Sequence, residues 1–347
     1  MSRAAVGVGA GRTQEDVLLR IAASPHVQSP HSTPRIMWTV NATLVPLVAA
    51  AIYWFGPSAA LVIGASTAGA VLTERAFGRR GALGDGSALI TGVLLGLILP
   101  AGFPLWMAFT GGAFGIGFGK LVFGGLGQNV FNPALLGRAF LQAAFPTAIT
   151  TWPAGPASWW TLRGDNFAFP LMSAQTPDLV TSATPLGAWK FERVGTELAD
   201  LVIGRTGGSL GETSGLLILA LGIYLAVKKY LDWRIPASIL LTVAIFTGLL
   251  WLIDPTRFQD PLFMLFSGGL MLGAVYMATD MVTSPVTRRG TWIYGLGIGL
   301  LVVLIRVWGG LPEGVMYAIL LMNAMVPFLN RWTQPRVFGH ERRKEAA

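Results

Sequence analysis

The chain has 347 residues, 53% of them hydrophobic and 12% charged. Soluble domains carry about 25% charged residues, so this composition excludes an ordinary soluble domain and belongs in a bilayer. A net charge of +8 would fit nucleic acid, but the basic residues sit beside apolar runs, which excludes that partner; there is no cysteine, and His26, His31 and His340 all lie in polar tails, which excludes iron–sulfur clusters and the usual histidine-ligated membrane haem.

Residues 1–35 read as a polar cytoplasmic tail, punctuated by Pro25 and Pro30, without the apolar core and small-residue cleavage site of a signal peptide. A membrane helix needs about 20 mostly apolar residues. In the first half, 36–146, five windows approach this: 36–55, 58–77, 84–100, 104–123 and the shorter 132–146. The stretch from Gly124 to Ala134 separates the last two. Its glycines and asparagines stop one helix, Pro133 starts another, and Asn132 is placed to cap it. Non-helical backbone at membrane depth survives only against protein or a cavity. A helix N-terminus there offers free N–H groups to the polar edge of a flavin, a quinone or a hydrated ion, with Asn129 and Asn132 adding amides. An ordinary turn between spans is the alternative. Arg138 follows, one or two turns into the short fifth helix.

A polar island, 147–211, then interrupts the membrane pattern. If electrons pass through this cysteine-free chain they need an organic cofactor, and a threonine hydroxyl in a water-exposed loop here is a place to attach one. The second half, 212–330, holds windows at 213–230, 235–253, 261–279, 291–308 and 312–330, followed by a basic tail, 331–347. Asp280 directly follows an apolar span; a carboxylate near membrane depth is a functional candidate, in an ion path or beside a cofactor, unless it simply ends a helix in water. Arg306, near the end of the ninth window, either snorkels or pairs with an acid or a phosphate. Glu74, Asp85, Glu212 and Glu313 lie at expected helix ends, where capping or solvation is the simpler role.

The expected fold is an all-α integral membrane protein of about ten transmembrane helices, in two inverted five-helix repeats with broken or short helices. A weak self-match, Gly111–Gly115 with Gly268–Gly273, accompanies it. Ten spans place Arg35, Arg75, Arg79, Lys228, Lys229, Arg234, Arg288, Arg289, Arg331 and both tails on one side. The other side receives only Arg163, Lys190, Arg193, Arg205 and Arg257. By the positive-inside rule the first side is cytoplasmic, so both termini are inside and the island is periplasmic.

In order and spacing, several segments resemble one family across nearly the whole chain: Ser29-Pro30-His31, Gly127 to Phe140 (GQNVFNPALLGRAF), Ser182-Ala183-Thr184-Pro185-Leu186, Gly211-Glu212-Thr213-Ser214, and Pro312 to Ala324. The chain resembles the D subunit of the Rnf complex, an ion-translocating ferredoxin:NAD oxidoreductase of the bacterial inner membrane. It is also similar to the homologous B subunit of the sodium-pumping NADH:quinone reductase, which carries a longer N-terminal tail. The resemblance implies FMN joined by a phosphoester to Thr184, the last residue of Thr181-Ser182-Ala183-Thr184, by a flavin transferase on the outer face. It further implies a second, non-covalent flavin such as riboflavin near Asn129, Asn132 and Pro133, with Arg138 nearby. The fold it implies is similar to urea and ammonium channels. The partners it implies are the A, B, C, E and G subunits, with ferredoxin and NAD(H) bound on partners, and lipid; Na+ or H+ would be the coupling ion. The rival readings are a plain channel or secondary transporter of the urea/ammonium type, and a redox-inactive scaffold.

Overall fold

The computed structural model describes residues 32–79, 82–152, 160, 162, 164–170, 184–204, 206–212 and 214–335. Ser182 and Ala183 of the expected flavin signal lie outside them. Among the described residues the fold is helical, without strands. The first half contains α1 (Thr33–Phe55), α2 (Pro57–Phe77), α3 (Ser87–Leu97), α4 (Leu105–Ile116) and α5 (Pro133–Ala144). The island contributes the short α6 (Pro146–Thr150), α7 (Pro185–Gly187) and α8 (Leu198–Ile203). The second half contains α9 (Gly215–Val227), α10 (Arg234–Ile253), α11 (Pro261–Phe266), α12 (Leu270–Leu272), α13 (Arg288–Trp308) and α14 (Val315–Trp332). Two π-turns, Gly117–Leu121 and Gly273–Met277, extend α4 and α12.

Among the described residues three helices, α1, α10 and α13, are long and apolar enough to cross a membrane on their own. The window 84–100 is helical only over the 11 residues of α3, about 16 Å at 1.5 Å per residue, half of a roughly 30 Å hydrocarbon core. The window 261–279 is not one helix either. It breaks at Ser267–Gly269, where Gly268 adopts a φ of 69° that a side chain disfavours. Both interruptions are sealed inside protein: Leu97 at the end of α3, Leu99 and Phe103 after it, and Ser267 after α11 are all 0% exposed. The backbone polar groups there are paired. Leu210 N donates to Leu99 O at 3.1 Å, and the buried Asn166 amide donates to the Ala101 and Phe103 carbonyls at 3.0 Å each. The island thereby clips the turn between α3 and α4.

Packing follows small residues. In the first half α2 lies closely against α4 and α3, and in the second half α10 lies against α13. A Cβ on Gly112 would run into the Ser66 carbonyl, and one on Gly96 would sit 2.7 Å from Ile63 Cα. Across α10 and α13 the approach is equally close, with a Cβ on Gly299 falling 2.7 Å from Thr242 Cβ. Small residues let backbones approach where lipid supplies no hydrophobic drive. The glycine self-match falls on α4 in one half and on the α11–α12 break in the other, so it does not follow this shared packing.

Gly112→Ala should therefore lower the detergent-solubilised melting temperature, by the equivalent of about 1–3 kcal/mol. Gly64→Ala, where an added Cβ meets nothing within 4 Å, should leave it unchanged or raise it slightly.

Candidate functional site

The stretch after α4 passes through Gly124, Gly125 and Gly127, all at positive φ, and reaches Asn132. As expected, Asn132 caps α5: its Oδ1 accepts from Ala134 N at 3.0 Å and Leu135 N at 3.4 Å, and Pro133 opens the helix. The other end of the same amide makes a contact that no local pattern announces. Asn132 Nδ2 donates to the Met277 carbonyl at 3.1 Å, at the end of the second π-turn, 145 residues away in sequence. Asn323 on α14 joins them. With its amide oriented to satisfy both ends, it accepts from Asn132 N at 3.2 Å and donates to Thr283 O at 3.3 Å. Sequence reasoning passed over Asn323; a polar residue within an apolar helix window was the available signal.

Asp280 lies in the irregular turn after Met277. Its carboxylate accepts from Val282 N at 3.3 Å and Thr283 Oγ1 at 3.2 Å, and it lines the same pocket as Asn129. The two interrupted stretches, separate in sequence, thus share one pocket. Asn129, Asn132, Pro133 and Asp280 line it together with Thr91, Lys120 and Tyr276, and with apolar Ile36, Val40, Leu94 and Leu225; it encloses about 820 Å³ including its open mouth. A mostly apolar cleft with a few convergent polar groups is the usual form of a cofactor site. The stretch that could have been an ordinary turn between spans is therefore a pocket wall.

Glu74 and Asp85 do not both behave as helix-end residues in water. Asp85 caps α3, accepting from Ser87 N at 2.8 Å. Glu74 is 1% exposed and is ion-paired to Lys120, because α2 and the end of α4 pack side by side.

A second charged cluster surrounds the ends of the half-helices. Arg138 Nη1 donates to Ile98 O at 2.7 Å, capping α3, and Nη2 pairs with Glu313 at 3.2 Å. Arg306 does not snorkel: it is 4% exposed and donates to Met264 O at 2.5 Å and Ser267 O at 3.0 Å, capping α11. Each arginine thus places its charge at a helix C-terminus, where the dipole favours a cation. Glu212 accepts from Ser209 Oγ at 2.7 Å and interacts with Glu313 and both arginines. Arg138 and Asp280 belong to different clusters, since Arg138 lines a separate cleft with Glu313 and Met277.

Thr184 departs from the expected water-exposed hydroxyl. It is 5% exposed; its Oγ1 accepts from Gly187 N at 3.1 Å as the cap of α7, with Pro185 at the first helical position. The turn it starts is anchored by Lys190, whose ammonium donates to the Arg306 carbonyl at 3.0 Å and the Leu311 carbonyl at 2.9 Å. Burial lowers the Lys190 ammonium below the usual lysine range. Leu186, two residues on, lies beside Gly268 and Arg306.

Residues 20–339 match the family described as NQR2, RnfD, RnfE. Over 342 residues the chain is 40% identical to the D subunit of a proton-translocating ferredoxin:NAD(+) oxidoreductase complex from Clostridium ljungdahlii, covering 94% of this chain and 97% of that protein. It is 40% identical over 337 residues to the D subunit of the Na(+)-translocating ferredoxin:NAD(+) oxidoreductase complex of Acetobacterium woodii, covering 95% and 98%. To the D subunit of the ion-translocating oxidoreductase complex of Stutzerimonas stutzeri it is 43% identical over 334 residues, covering 90% and 94%.

Removing one partner of a buried ion pair costs about 3–5 kcal/mol. Arg138→Ala should destabilise the protein in that range, and Arg138→Ala with Glu313→Ala by less than the sum of the two single changes, as read from a double-mutant cycle of thermal unfolding.

Proposed function

Because the chain belongs to the NQR2, RnfD, RnfE family, we propose that it is the membrane D subunit of an Rnf-type complex, which moves electrons between ferredoxin and NAD(H) and couples them to translocation of Na+ or H+. The observation that carries this is the near full-length similarity to proteins bearing that name in both ion classes. Ferredoxin and NAD(H) are taken by partner subunits. This chain sits in the inner membrane as ten spans in two inverted five-helix halves, with both termini in the cytoplasm and the 147–211 island outside. The shared contacts of second with fourth helix in each half, and the distribution of basic residues, support that arrangement.

Two flavins belong to this reading. One is FMN esterified through its phosphate to Thr184, installed by a flavin transferase. Thr184 Oγ1 would carry the phosphate at the start of a helical turn, where a negative charge is favoured. The transferase has to reach a hydroxyl that is nearly buried, so the turn opens or is modified before it packs. The other is a non-covalent flavin such as riboflavin, in the pocket between the two interrupted stretches. Asn129 and Asn132 face its polar edge and the apolar wall takes its ring. When bound, flavin supplies the exchange between two-electron and one-electron transfer; the residues here position it and set its electrostatics. Asp280, beside Asn129, is the carboxylate in place to take a cation when negative charge enters the pocket.

Purified complex should be yellow and give a fluorescent band for this subunit after denaturing electrophoresis, and Thr184→Ala should abolish that band. A colourless subunit from cells containing the transferase would overturn the electron-carrier reading in favour of a channel. Asn132→Ala should lose non-covalent flavin while keeping the Thr184 adduct; it also removes a helix cap, at a cost of about 1 kcal/mol. Asp280→Ala should reduce ion transport in proteoliposomes more than it reduces electron transfer, and equal losses would remove it from the ion path.

A further inference from the structure

Lys120 belongs neither to the amide contacts nor to the ion path proposed above. It is 4% exposed, sits on the π-turn Gly117–Leu121 and lines the pocket together with Asn129 and Asn132. No other lysine or arginine lines that pocket among the described residues. Its ammonium makes a short contact with Glu74 and a 2.5 Å hydrogen bond to Ser87 Oγ, with Asp85 Oδ2 at 3.8 Å. An ammonium has three N–H donors. Glu74 and Ser87 take two of them, Asp85 stands beside the ammonium as a second counter-charge, and Lys120 also lines the pocket.

The cluster is costly to bury. Glu74 has a side chain 0% exposed, yet its second carboxylate oxygen has no hydrogen-bond partner. A buried pair with an unsatisfied oxygen contributes little stability, and an apolar pair would serve the packing of α2 against α4 as well or better. The feature that an apolar pair cannot supply is an ammonium at the pocket wall, its charge countered by Glu74 and Asp85. Asp280, the other charged group lining it, is negative and is engaged by Thr283 and Val282.

We propose that Lys120 is the cationic positioning residue of this pocket: held by Glu74, Ser87 and Asp85, it sets its ammonium against the pyrimidine carbonyl edge of a non-covalently bound flavin and favours the reduced, more negative form. This rests on the reading that the pocket holds a flavin. Glu74 sets the strength of the effect, because its negative charge offsets part of the ammonium's field. Removing Lys120's charge and removing Glu74's charge therefore act in opposite directions on the same cofactor, which a purely structural pair would not do.

The test is a spectroelectrochemical titration of the intact purified complex, with flavin content measured after extraction and the Thr184 adduct followed as a fluorescent band to verify folding and assembly. Lys120→Met should lower the reduction equilibrium constant of the non-covalent flavin about tenfold, which is about 59 mV for one electron, or empty the site. Glu74→Gln should raise the constant. Lys120→Arg should keep both flavin and potential near wild type. Unaltered potential and content in Lys120→Met and Glu74→Gln, or equal loss of flavin in Lys120→Arg and Lys120→Met, would overturn the assignment. Absence of an extractable flavin from the wild-type complex would instead remove the pocket reading on which it rests.

Discussion

The side-chain amide of Asn132 holds together two pieces of backbone that a membrane would otherwise not tolerate. In hydrocarbon an unpaired N–H or carbonyl costs several kcal/mol, and each interrupted stretch exposes such groups. Asn132 satisfies the start of α5 with its oxygen and the Met277 carbonyl with its nitrogen, so each stretch completes the other. Asn323 adds the Asn132 N–H and the Thr283 carbonyl to the same arrangement. Only with these groups paired is there room for a pocket between them, and the positions of Asn129 and Asp280 follow from that joint.

Charge is treated differently at the two clusters. Around Lys120, one cation faces two carboxylates, and the arrangement is closed on the helix side and open toward the pocket. Around Arg138 and Arg306, two cations and two carboxylates alternate, and both arginines direct donors at the carbonyl ends of α3 and α11. The second cluster is thus a structural substitute for the missing halves of two helices: the guanidinium groups take the hydrogen bonds that a further turn would have taken. That accounts for 11-residue and 6-residue helices within apolar windows long enough for more.

What could be read in advance was whatever depends on local chain chemistry. The cap at Asn132 and the proline start of α5 follow from residue type and spacing, and both lie where those rules place them. The lengths of α3 and α11 were not legible, because apolar runs continue past their ends; tertiary capping by arginines distant in sequence stops them. Burial of Glu74 was hidden for the same reason, since a glutamate near a helix end looks alike whether it faces water or a lysine from another helix. Thr184 caps a helical turn beside Pro185 and is nearly buried, which a threonine in a polar stretch does not announce.

The anchoring of the turn that begins at Thr184 has a mechanical meaning. Lys190 grips the end of α13, and Arg193 donates to the Arg257 carbonyl at 3.0 Å, so this turn is a bracket bolted to the helix bundle and not a slack leash. Thr184 is therefore held at one place against the bundle, and a change at Lys190 or Arg193 would shift it without touching the threonine at all.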